Sequence, residues 1–313
     1  MIRFGLCCIF RSHPVKFRRT TAAALARLPE TEQKQRLARL CAENAESLFA
    51  ALCFCRDHRI GAFRINSQIL PLKTHPNLGY EIHDLPGSRQ IVDQFKACGK
   101  FSRKHNIRTS FHPDQFVVLS SPTPDVVRRS VLELDYQAQV AEWVNADVIN
   151  LHAGGVYGDK PAALARLADT INALSQPVRQ RLTLENDDIS YTPEDLLPLC
   201  RNLGIPLVYD VHHHRCLPDG LSIETATQKA AHTWDREPLF HLSSPKDGWE
   251  SPTPRKHSDF IDINDLPMDW TEMDITVEVE AKAKEEAVIQ LIQAVEKGSQ
   301  ATQAWQTQKT DPS

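Results

Sequence analysis

Val148-Ile149-Asn150-Leu151-His152 is a short, mostly apolar run that ends in a histidine. Such a run is typical of a buried β-strand, and Gly154 and Gly155 after it mark the start of a loop. Five other runs have the same form, because each is short, largely apolar and ends in histidine, aspartate or glutamate. These runs cover residues 108–112, 182–185, 207–210, 238–241 and 275–280.

Stretches with a helical spacing of apolar residues separate these strands. The longest covers Thr31–His58, and Thr192-Pro193-Glu194-Asp195 supplies another with an N-cap, a first-turn proline and early acids. Two further strands are predicted at Ile2–Leu6 and Ala62–Ile65, which makes eight strands in all. The remaining helices are predicted at residues 89–105, 125–145, 160–174, 223–232 and 281–297.

Eight alternating strands and helices predict an α/β fold class, as a TIM-type (β/α)8 barrel in a single domain. Repeated βα units give a parallel sheet with right-handed crossovers, and eight units close into a barrel of roughly 250 residues. The barrel domain is predicted to span residues 1–297. Residues 298–313 are polar and lack periodicity, so they are predicted to form a disordered tail.

The composition is ordinary for a globular chain: of 313 residues, 41% are hydrophobic and 24% are charged, with a formal net charge of -4. This charge gives no global attraction to nucleic acid, so DNA binding would require a local basic surface. No apolar run reaches the length of about 18 residues that a membrane span requires, and the first residues lack the apolar core of a signal peptide. The eight cysteines include no Cys-x-x-Cys pair and are expected to be reduced, which favours the cytoplasm.

The residues that end the strands point to metal chemistry. In barrels of this type the active site lies at the carboxyl ends of the strands, where these ligands would meet. Imidazole with carboxylate suits zinc, manganese or iron, and a carboxylate such as Glu185 can bridge two ions, as in two-metal phosphoester hydrolysis. Taken singly, His112 could be a satisfied loop histidine, Glu185 part of a solvated turn, and His212-His213-His214 a polar surface run. Together the strand ends predict a metalloenzyme.

A series of motifs resembles the UV damage endonuclease family over most of the chain, from Met1 to about Leu291. Each motif alone is unspecific, but the whole series in this order is specific. The motifs are Phe63-Arg64-Ile65-Asn66-Ser67 with His75, Phe111-His112-Pro113-Asp114-Gln115-Phe116, Asn150-Leu151-His152-Ala153-Gly154-Gly155, Leu184-Glu185-Asn186-Asp187-Asp188, Asp210-Val211-His212-His213, His241-Leu242-Ser243-Ser244, His257-Ser258-Asp259-Phe260-Ile261 and Glu280-Ala281-Lys282.

The resemblance implies a barrel related in architecture to endonuclease IV, and a metal-dependent DNA repair endonuclease. It implies that about two or three divalent ions, manganese foremost, support cutting immediately 5′ to a UV photoproduct, which leaves a 3′-hydroxyl and a 5′-phosphate. The substrate would be UV-damaged double-stranded DNA, and the protein is expected to be a monomer. The catalytic residues predicted are Glu185 and Lys246; Lys246 could contact the phosphate, or it could be a solvated loop lysine. The implied metal ligands are His75, His112, His152, Glu185, Asp210, His213, His241, His257 and Glu280.

The resemblance also implies how DNA is held. Gln115 and Phe116 would form a wedge that fills the gap left by an extruded photodimer, which stacks poorly and is therefore easier to extrude than normal bases. Contacts to the DNA backbone are expected from a set of basic residues. This set is Arg11, Lys16, Arg18, Arg19, Arg103, Lys104, Arg215, Arg255 and Lys256.

The chain departs from the family pattern at three places. Leu6-Cys7 stands where a tyrosine is common, and Phe116 stands in place of a tyrosine in the wedge. Leu239 stands where some members have a modified, metal-bridging lysine, so the number of ions is open. Glu280 is preferred to Glu278 as a ligand because of the Glu-Ala-Lys match, although strand alternation places both on the same face.

Three other functions fit parts of the pattern. A sugar or sugar-acid isomerase on a similar barrel would use the same kinds of metal ligand, but would need only a small closed pocket and no wedge. A general apurinic-site endonuclease would share the metal chemistry but not the preference for photodimers. A DNA-binding protein without enzymatic activity is the third alternative, because Leu239 cannot hold a metal.

Overall fold

The computed structural model describes the backbone of residues 2–309 and the side chains of residues 2–298. Eight parallel strands form a closed barrel in chain order, and the last strand pairs with the first. The predicted TIM-type (β/α)8 barrel in a single domain is therefore confirmed. The strands are β1 (Arg3–Cys7), β2 (Ala62–Ile65), β3 (Arg108–Phe111), β4 (Val148–His152), β5 (Leu182–Glu185), β6 (Leu207–Asp210), β7 (Leu239–Leu242) and β8 (Thr276–Val279).

The described part of the chain has ten α-helices, most of which follow a strand. They are α1 (Ala22–Ala26), α2 (Glu30–Asp57), α3 (Ser88–Lys104), α4 (Pro124–Val144), α5 (Lys160–Ala173), α6 (Gln176–Arg179), α7 (Pro193–Leu203), α8 (Val211–Cys216), α9 (Ile223–Ala231) and α10 (Glu285–Lys309). Short 3-10 helices cover Ile82–Asp84, Ile263–Asp265 and Met268–Glu272. None of the described helices combines the length and the apolarity that crossing a membrane would need.

The ends of α7 show how local sequence sets helix bounds. The Thr192 side chain accepts a hydrogen bond from the backbone N–H of Asp195, whose carboxylate accepts from the N–H of Thr192. Pro193 occupies the first turn, where its missing N–H is not needed. Gly204 ends the helix in the left-handed conformation with φ of 64°, which glycine adopts without strain. The helix predicted after Thr192 is therefore confirmed.

Apolar side chains fill the bottom of the barrel. Val148, Val208 and Leu239 form a buried cluster of their own, against which Trp234 packs. Because β4 and β6 are not neighbours in the sheet, their contact runs across the barrel interior. Leu239 lies two residues before His241 on β7. The interior beneath the carboxyl ends of β6 and β7 is thus apolar.

The last helix extends past the predicted end of the barrel domain. The backbone of α10 is helical as far as Lys309, and the disordered tail at 298–313 stays a prediction. Extending a helix avoids the cost of nucleation, and the alanine, glutamine and lysine residues of this stretch have good helix propensity. Residues 310–313 lie outside the described residues.

Candidate metal centre

Glu185, the last residue of β5, lies at the centre of the barrel mouth and is fully buried. Its Oε2 atom lies 3.0 Å from His112 Nε2 and 3.8 Å from His152 Nε2. Its Oε1 atom lies 3.0 Å from His241 Nδ1 and 3.4 Å from His213 Nδ1. Four histidines from different strand ends therefore surround one carboxylate.

Side chains beneath the mouth hold Glu185 in place. The side-chain Nδ2 of Asn150 donates to Glu185 Oε2 at 2.5 Å, and its side-chain Oδ1 accepts from the Thr183 hydroxyl at 2.9 Å. All three residues lie on β4 and β5, which are paired in register. A carboxylate whose partners are themselves hydrogen-bonded has a restricted orientation, as ligands of metal sites generally do.

Three groups of side chains bring possible ligand atoms within 4.8 Å of one another. Glu185 and Asp210 each belong to two of these groups, so the groups form a continuous chain of sites across the mouth. Carboxylates shared between adjacent sites can bridge two ions. The groups are His112 with His152 and Glu185, then Glu185 with Asp210 and His213, and finally Asp210 with His241 and Glu280.

The buried charges of the cluster stabilise one another. Burial alone would raise the pKa of Glu185, but the positive charges of His241 and His152 and hydrogen bonds from other histidines hold that pKa well below its ordinary value. Burial would lower the pKa of His241, yet Glu185 and Glu278 raise it to about 10. A cation that bound here would have to displace protons from the imidazoles, because metal ligands must be deprotonated.

Two buried atoms of the cluster support a metal site. Among the described residues, Asp210 Oδ2 and His152 Nδ1 are buried and have no hydrogen-bond partner. Asp210 Oδ1 is already used, because it accepts from the N–H of His213 and caps α8. A buried carboxylate oxygen without a partner is costly, and a cation would satisfy it. The donor set of imidazoles and carboxylates without thiolates suits manganese, zinc or iron.

Seven of the nine predicted metal ligands belong to these three groups, and two do not. His257 lies at the edge of the centre, with its Nδ1 3.8 Å from Glu280 Oε2. His75 Nδ1 accepts from the backbone N–H groups of Asn77 and Leu78 at 3.3 and 3.2 Å. These hydrogen bonds lie within the loop after β2, and they leave His75 outside the three ligand groups. The ligand role of His75 stays a prediction.

The three consecutive histidines on α8 have different surroundings. His213 faces Glu185 and Asp210, as described above. His214 is buried between the Tyr209 hydroxyl, 2.7 Å from its Nδ1, and Asp219 Oδ1, 2.9 Å from its Nε2. His212 is also buried and points Nδ1 at the Ser243 carbonyl oxygen. The interpretation of this run as surface polarity is therefore wrong for His212 and His214.

Arg64 is a buried residue of the site to which the sequence pattern assigned no role. Its guanidinium donates to Glu278 Oε2 at 2.5 Å and to Glu280 Oε1 at 2.6 Å, and lies 2.9 Å from His241 Nε2. Glu278 is also hydrogen-bonded by the Ser110 hydroxyl. Arg64 thus pairs with both glutamates, and of the two it is Glu280 that also belongs to a ligand group. A charged residue in the apolar strand Phe63-Arg64-Ile65 was the signal that could have revealed it.

The rim of the mouth carries exposed apolar side chains. Gln115 and Phe116 are exposed in the loop after β3, and Phe116 is 77% accessible. Tyr157 and Ile189 are exposed in the loops after β4 and β5. Large apolar groups at the edge of a polar cleft are typical of a binding surface. Lys246 is exposed nearby, and in the described residues no hydrogen bond or ion pair joins its side chain to the centre.

Two departures from the family pattern have clear surroundings. Leu239 belongs to the apolar cluster beneath the mouth, and it offers no ligand atom. Cys7 ends β1 as a free, buried thiol, and burial raises its pKa well above the ordinary value. Leu239 therefore cannot replace a metal-bridging lysine, and Cys7 lacks the ring and hydroxyl of the tyrosine that is common near the end of the first strand.

Comparisons with known proteins agree with this geometry. The sequence profile of the UV-endonuclease UvdE family matches residues 2–307. A protein named UV DNA damage endonuclease from Bacillus velezensis is 34% identical over 310 residues, which cover 94% of this chain and 93% of that protein. The crystal structure of SacUVDE superposes with a TM-score of 0.84 at 25% identity and covers 96% of this chain and 99% of that one. Endonuclease IV from Thermus thermophilus shares the fold, with a TM-score of 0.60 at 13% identity over 94% of this chain and 98% of that one.

Proposed function

The chain belongs to the UV-endonuclease UvdE family, and we propose that it uses divalent ions to cut DNA immediately 5′ to a UV photoproduct. The observation that carries this proposal is the chain of three ligand groups joined by Glu185 and Asp210 at the barrel mouth. An arrangement with shared carboxylates suits phosphodiester hydrolysis, in which charge develops on both the attacking and the leaving oxygen.

The residues that would hold the ions are those of the three ligand groups, namely His112, His152, Glu185, Asp210, His213, His241 and Glu280. Glu185 and Asp210 each belong to two of the groups, so each would serve two neighbouring sites. His75 and His257 are proposed as outer candidates. Bound manganese ions, about two or three in number, would supply Lewis acidity toward the phosphate and lower the pKa of nearby water.

The proposed reaction is hydrolysis without a covalent intermediate. A water oxygen forms a bond to phosphorus, and the bond from phosphorus to the 3′ oxygen breaks. The 3′ oxygen takes up a proton, so the products are a 3′-hydroxyl and a 5′-phosphate. Arg64 stays paired with Glu278 and Glu280 during this reaction and holds Glu280 at the mouth. Lys246, on the exposed loop after β7, is proposed to contact the phosphate.

Recognition of the lesion is proposed to use the exposed rim. Phe116 is largely exposed to solvent, and Gln115 beside it offers an amide for hydrogen bonding. Base-to-aromatic stacking contributes about 1–3 kcal/mol per base, and a photodimer is easier to unstack than normal bases. The rim is therefore suited to fill the gap in a duplex from which a photodimer has been extruded.

The proposed partner is UV-damaged double-stranded DNA, bound by a monomer in the cytoplasm. All eight cysteines are free thiols, which suits a reducing compartment. No helix of the described chain could cross a membrane. The monomeric state and the compartment stay predictions that sedimentation and cell fractionation can check.

Nicking of UV-irradiated plasmid in the presence of manganese tests the function. We expect conversion of supercoiled to nicked plasmid that requires both irradiation and the metal. Isomerisation of a sugar without nicking would instead favour the sugar isomerase. A second comparison uses an oligonucleotide with an abasic site beside one with a photodimer. Faster cutting of the abasic substrate would favour the general apurinic-site endonuclease.

A further inference from the structure

A cavity of about 530 Å³ opens beside the metal centre at the carboxyl ends of β1, β2 and β8. Six cationic side chains line it, and Glu280 is the one carboxylate in its wall among the described residues. We call this cavity the anion pocket. Its cationic residues are Arg19, Arg64, Arg255, Lys256, Lys282 and Lys284.

Most of the positive charge of the anion pocket is uncompensated. Arg64 is paired with Glu278 and Glu280, and Arg255 Nε lies 3.5 Å from Asp188 Oδ2. The other four cations make no ion pair with any residue whose side chain the structure describes. They are Arg19, Lys256, Lys282 and Lys284. In a chain with a net charge of -4, the pocket is thus a local basic surface of the kind that DNA binding requires.

Hydrogen bonds fix the walls of the pocket before any ligand arrives. The carboxylate of Glu285 accepts from the backbone N–H groups of Arg11, Ser12 and His13 at 2.7–2.9 Å, which ties the loop after β1 to the start of α10. On the opposite wall, the backbone N–H of Lys282 donates to the Ser258 carbonyl at 3.0 Å. A preformed cavity loses little conformational entropy when it binds a ligand.

Two residues of the pocket wall have a strained backbone. Cys8 and Lys284 adopt the left-handed conformation, with φ of 64° and 54°. Non-glycine residues avoid this conformation unless surrounding contacts impose it, and such residues cluster at functional sites. Both residues line the same cavity, and they are two of the seven non-glycine residues with positive φ in the described part of the chain.

We propose that the anion pocket binds a backbone phosphate of the DNA strand, separate from the phosphodiester that is cut at the metal centre. This inference rests on the proposed function, since it takes DNA as the substrate. His257 and Glu280 line both the pocket and the edge of the centre, so a phosphate held here would lie next to the reacting one. Phosphate contacts of this kind set the register of a protein on DNA without reading its sequence.

The test is the salt dependence of DNA binding by the full chain, with a chelator present so that no cutting occurs. The variant Lys256→Gln/Lys282→Gln removes two exposed charges of the pocket. Lys96→Gln/Lys100→Gln is the matched control, because both lysines are exposed on α3 and make no ion pair among the described side chains. Fluorescence anisotropy gives the dissociation constant for a photodimer duplex and for the same duplex without the lesion, over a range of salt concentrations.

The pocket variant is expected to bind both duplexes about 10–100-fold more weakly, and the slope of log K against log salt should shrink by about 1–2. The control variant should keep the wild-type slope. An unchanged slope and affinity in the pocket variant would overturn the assignment. A second outcome would also overturn the assignment. In it, the pocket variant binds DNA as the wild type does, but inorganic phosphate at constant ionic strength no longer competes with DNA for the variant. The pocket would then bind a free anion and not the DNA backbone.

Failure of the proposed function can be told apart from failure of the pocket. A wild-type protein that binds duplex DNA but never nicks the photodimer would contradict the proposed function, and the salt slopes would still decide the pocket. A wild-type protein that nicks normally, with a pocket variant of unchanged slope, would contradict the pocket alone.

Discussion

Replacement of Glu185 by glutamine is the most informative single change in the metal centre. The substitution keeps the shape of the side chain but removes a charge that lies within 3.0–3.8 Å of four imidazoles. Glu185 is one of three donors in each of two ligand groups, so its loss weakens two sites together. Loss of a hydrogen-bond partner behind a metal ligand already costs about 10–100-fold in metal affinity, and loss of a bridging ligand should cost about 100-fold or more.

The loss of metal affinity can be measured as a change in the free energy of unfolding. At about 100 times the dissociation constant, a bound ion stabilises the folded protein by about 2.7 kcal/mol, whereas a 100-fold weaker site gains only about 0.4 kcal/mol. Urea unfolding with chelator and then with added manganese measures both values. Nicking of UV-irradiated plasmid by Glu185→Gln should fall at least about 100-fold.

The control for this change is Glu133→Gln, which alters a half-buried carboxylate on α4 that is hydrogen-bonded to Thr74 and Gln137, away from the mouth. It should keep both the stabilisation by metal and the nicking activity. The reasoning would be refuted if Glu185→Gln kept the wild-type response to manganese and nicked DNA at the wild-type rate.

Three further predictions concern the rim, the interior and the loop after β1. Phe116→Ala should weaken binding to photodimer DNA about 5–100-fold while stabilisation by metal is unchanged, since stacking contributes about 1–3 kcal/mol per base. An equal preference for the lesion in the wild type and in this variant would exclude the wedge. The control is Phe49→Ala, which removes an exposed aromatic side chain on α2. Arg64→Met should lower the free energy of unfolding by about 3–5 kcal/mol without metal, because two buried carboxylates lose their partner. Added manganese should recover part of that stability. Urea unfolding that shows no loss of stability would contradict the role of the ion pair. Glu285→Gln should cost about 2–3 kcal/mol near neutral pH, because three charge-assisted hydrogen bonds weaken. Burial raises the pKa of Glu285, but the backbone N–H groups of Arg11, His13 and Ser12 hold it below the ordinary value of 4.5. The cost should therefore be full above pH 4.5 and shrink as the pH falls below that value, and a cost independent of pH would show that the carboxylate charge does not matter.

Much of the barrel could be predicted because its signals are local. A parallel strand buried on both faces is a short apolar run, and its last residue is the one that reaches the mouth. His152, Glu185 and Asp210 were therefore recognisable from a few neighbouring residues each. Helix ends were predictable for the same reason, since the caps of α7 lie within the helix sequence and the residues beside it.

The interior ion pairs could not be predicted in the same way. Arg64 and Glu278 are separated by 214 residues in the chain. They meet because the barrel closes with β8 beside β1, and β1 lies beside β2. Strand alternation placed Glu278 and Glu280 on one face but could not show that a buried arginine would hold both of them. The burial of His212 also depends on a distant partner, the Ser243 carbonyl oxygen in the loop after β7.

The anion pocket shows a similar limit. Arg19 and Lys256 were recognisable as basic loop residues, but their common location depends on loops from three different strands. The end of α10 has the same limit, because the composition of residues 298–309 does not show that a helix begun at Glu285 extends to Lys309. Composition describes a segment in isolation, whereas the fold supplies its starting structure.

The position of the cut is the measurement that tests the central claim most directly. A duplex with one photodimer, labelled at the 5′ end of the damaged strand, is incubated with the purified protein, first in chelator and then with manganese. We predict a single metal-dependent cut immediately 5′ to the photodimer, with a 3′-hydroxyl on the labelled product. Cutting elsewhere, cutting of the undamaged duplex at the same rate, or cutting that persists in chelator would contradict the account.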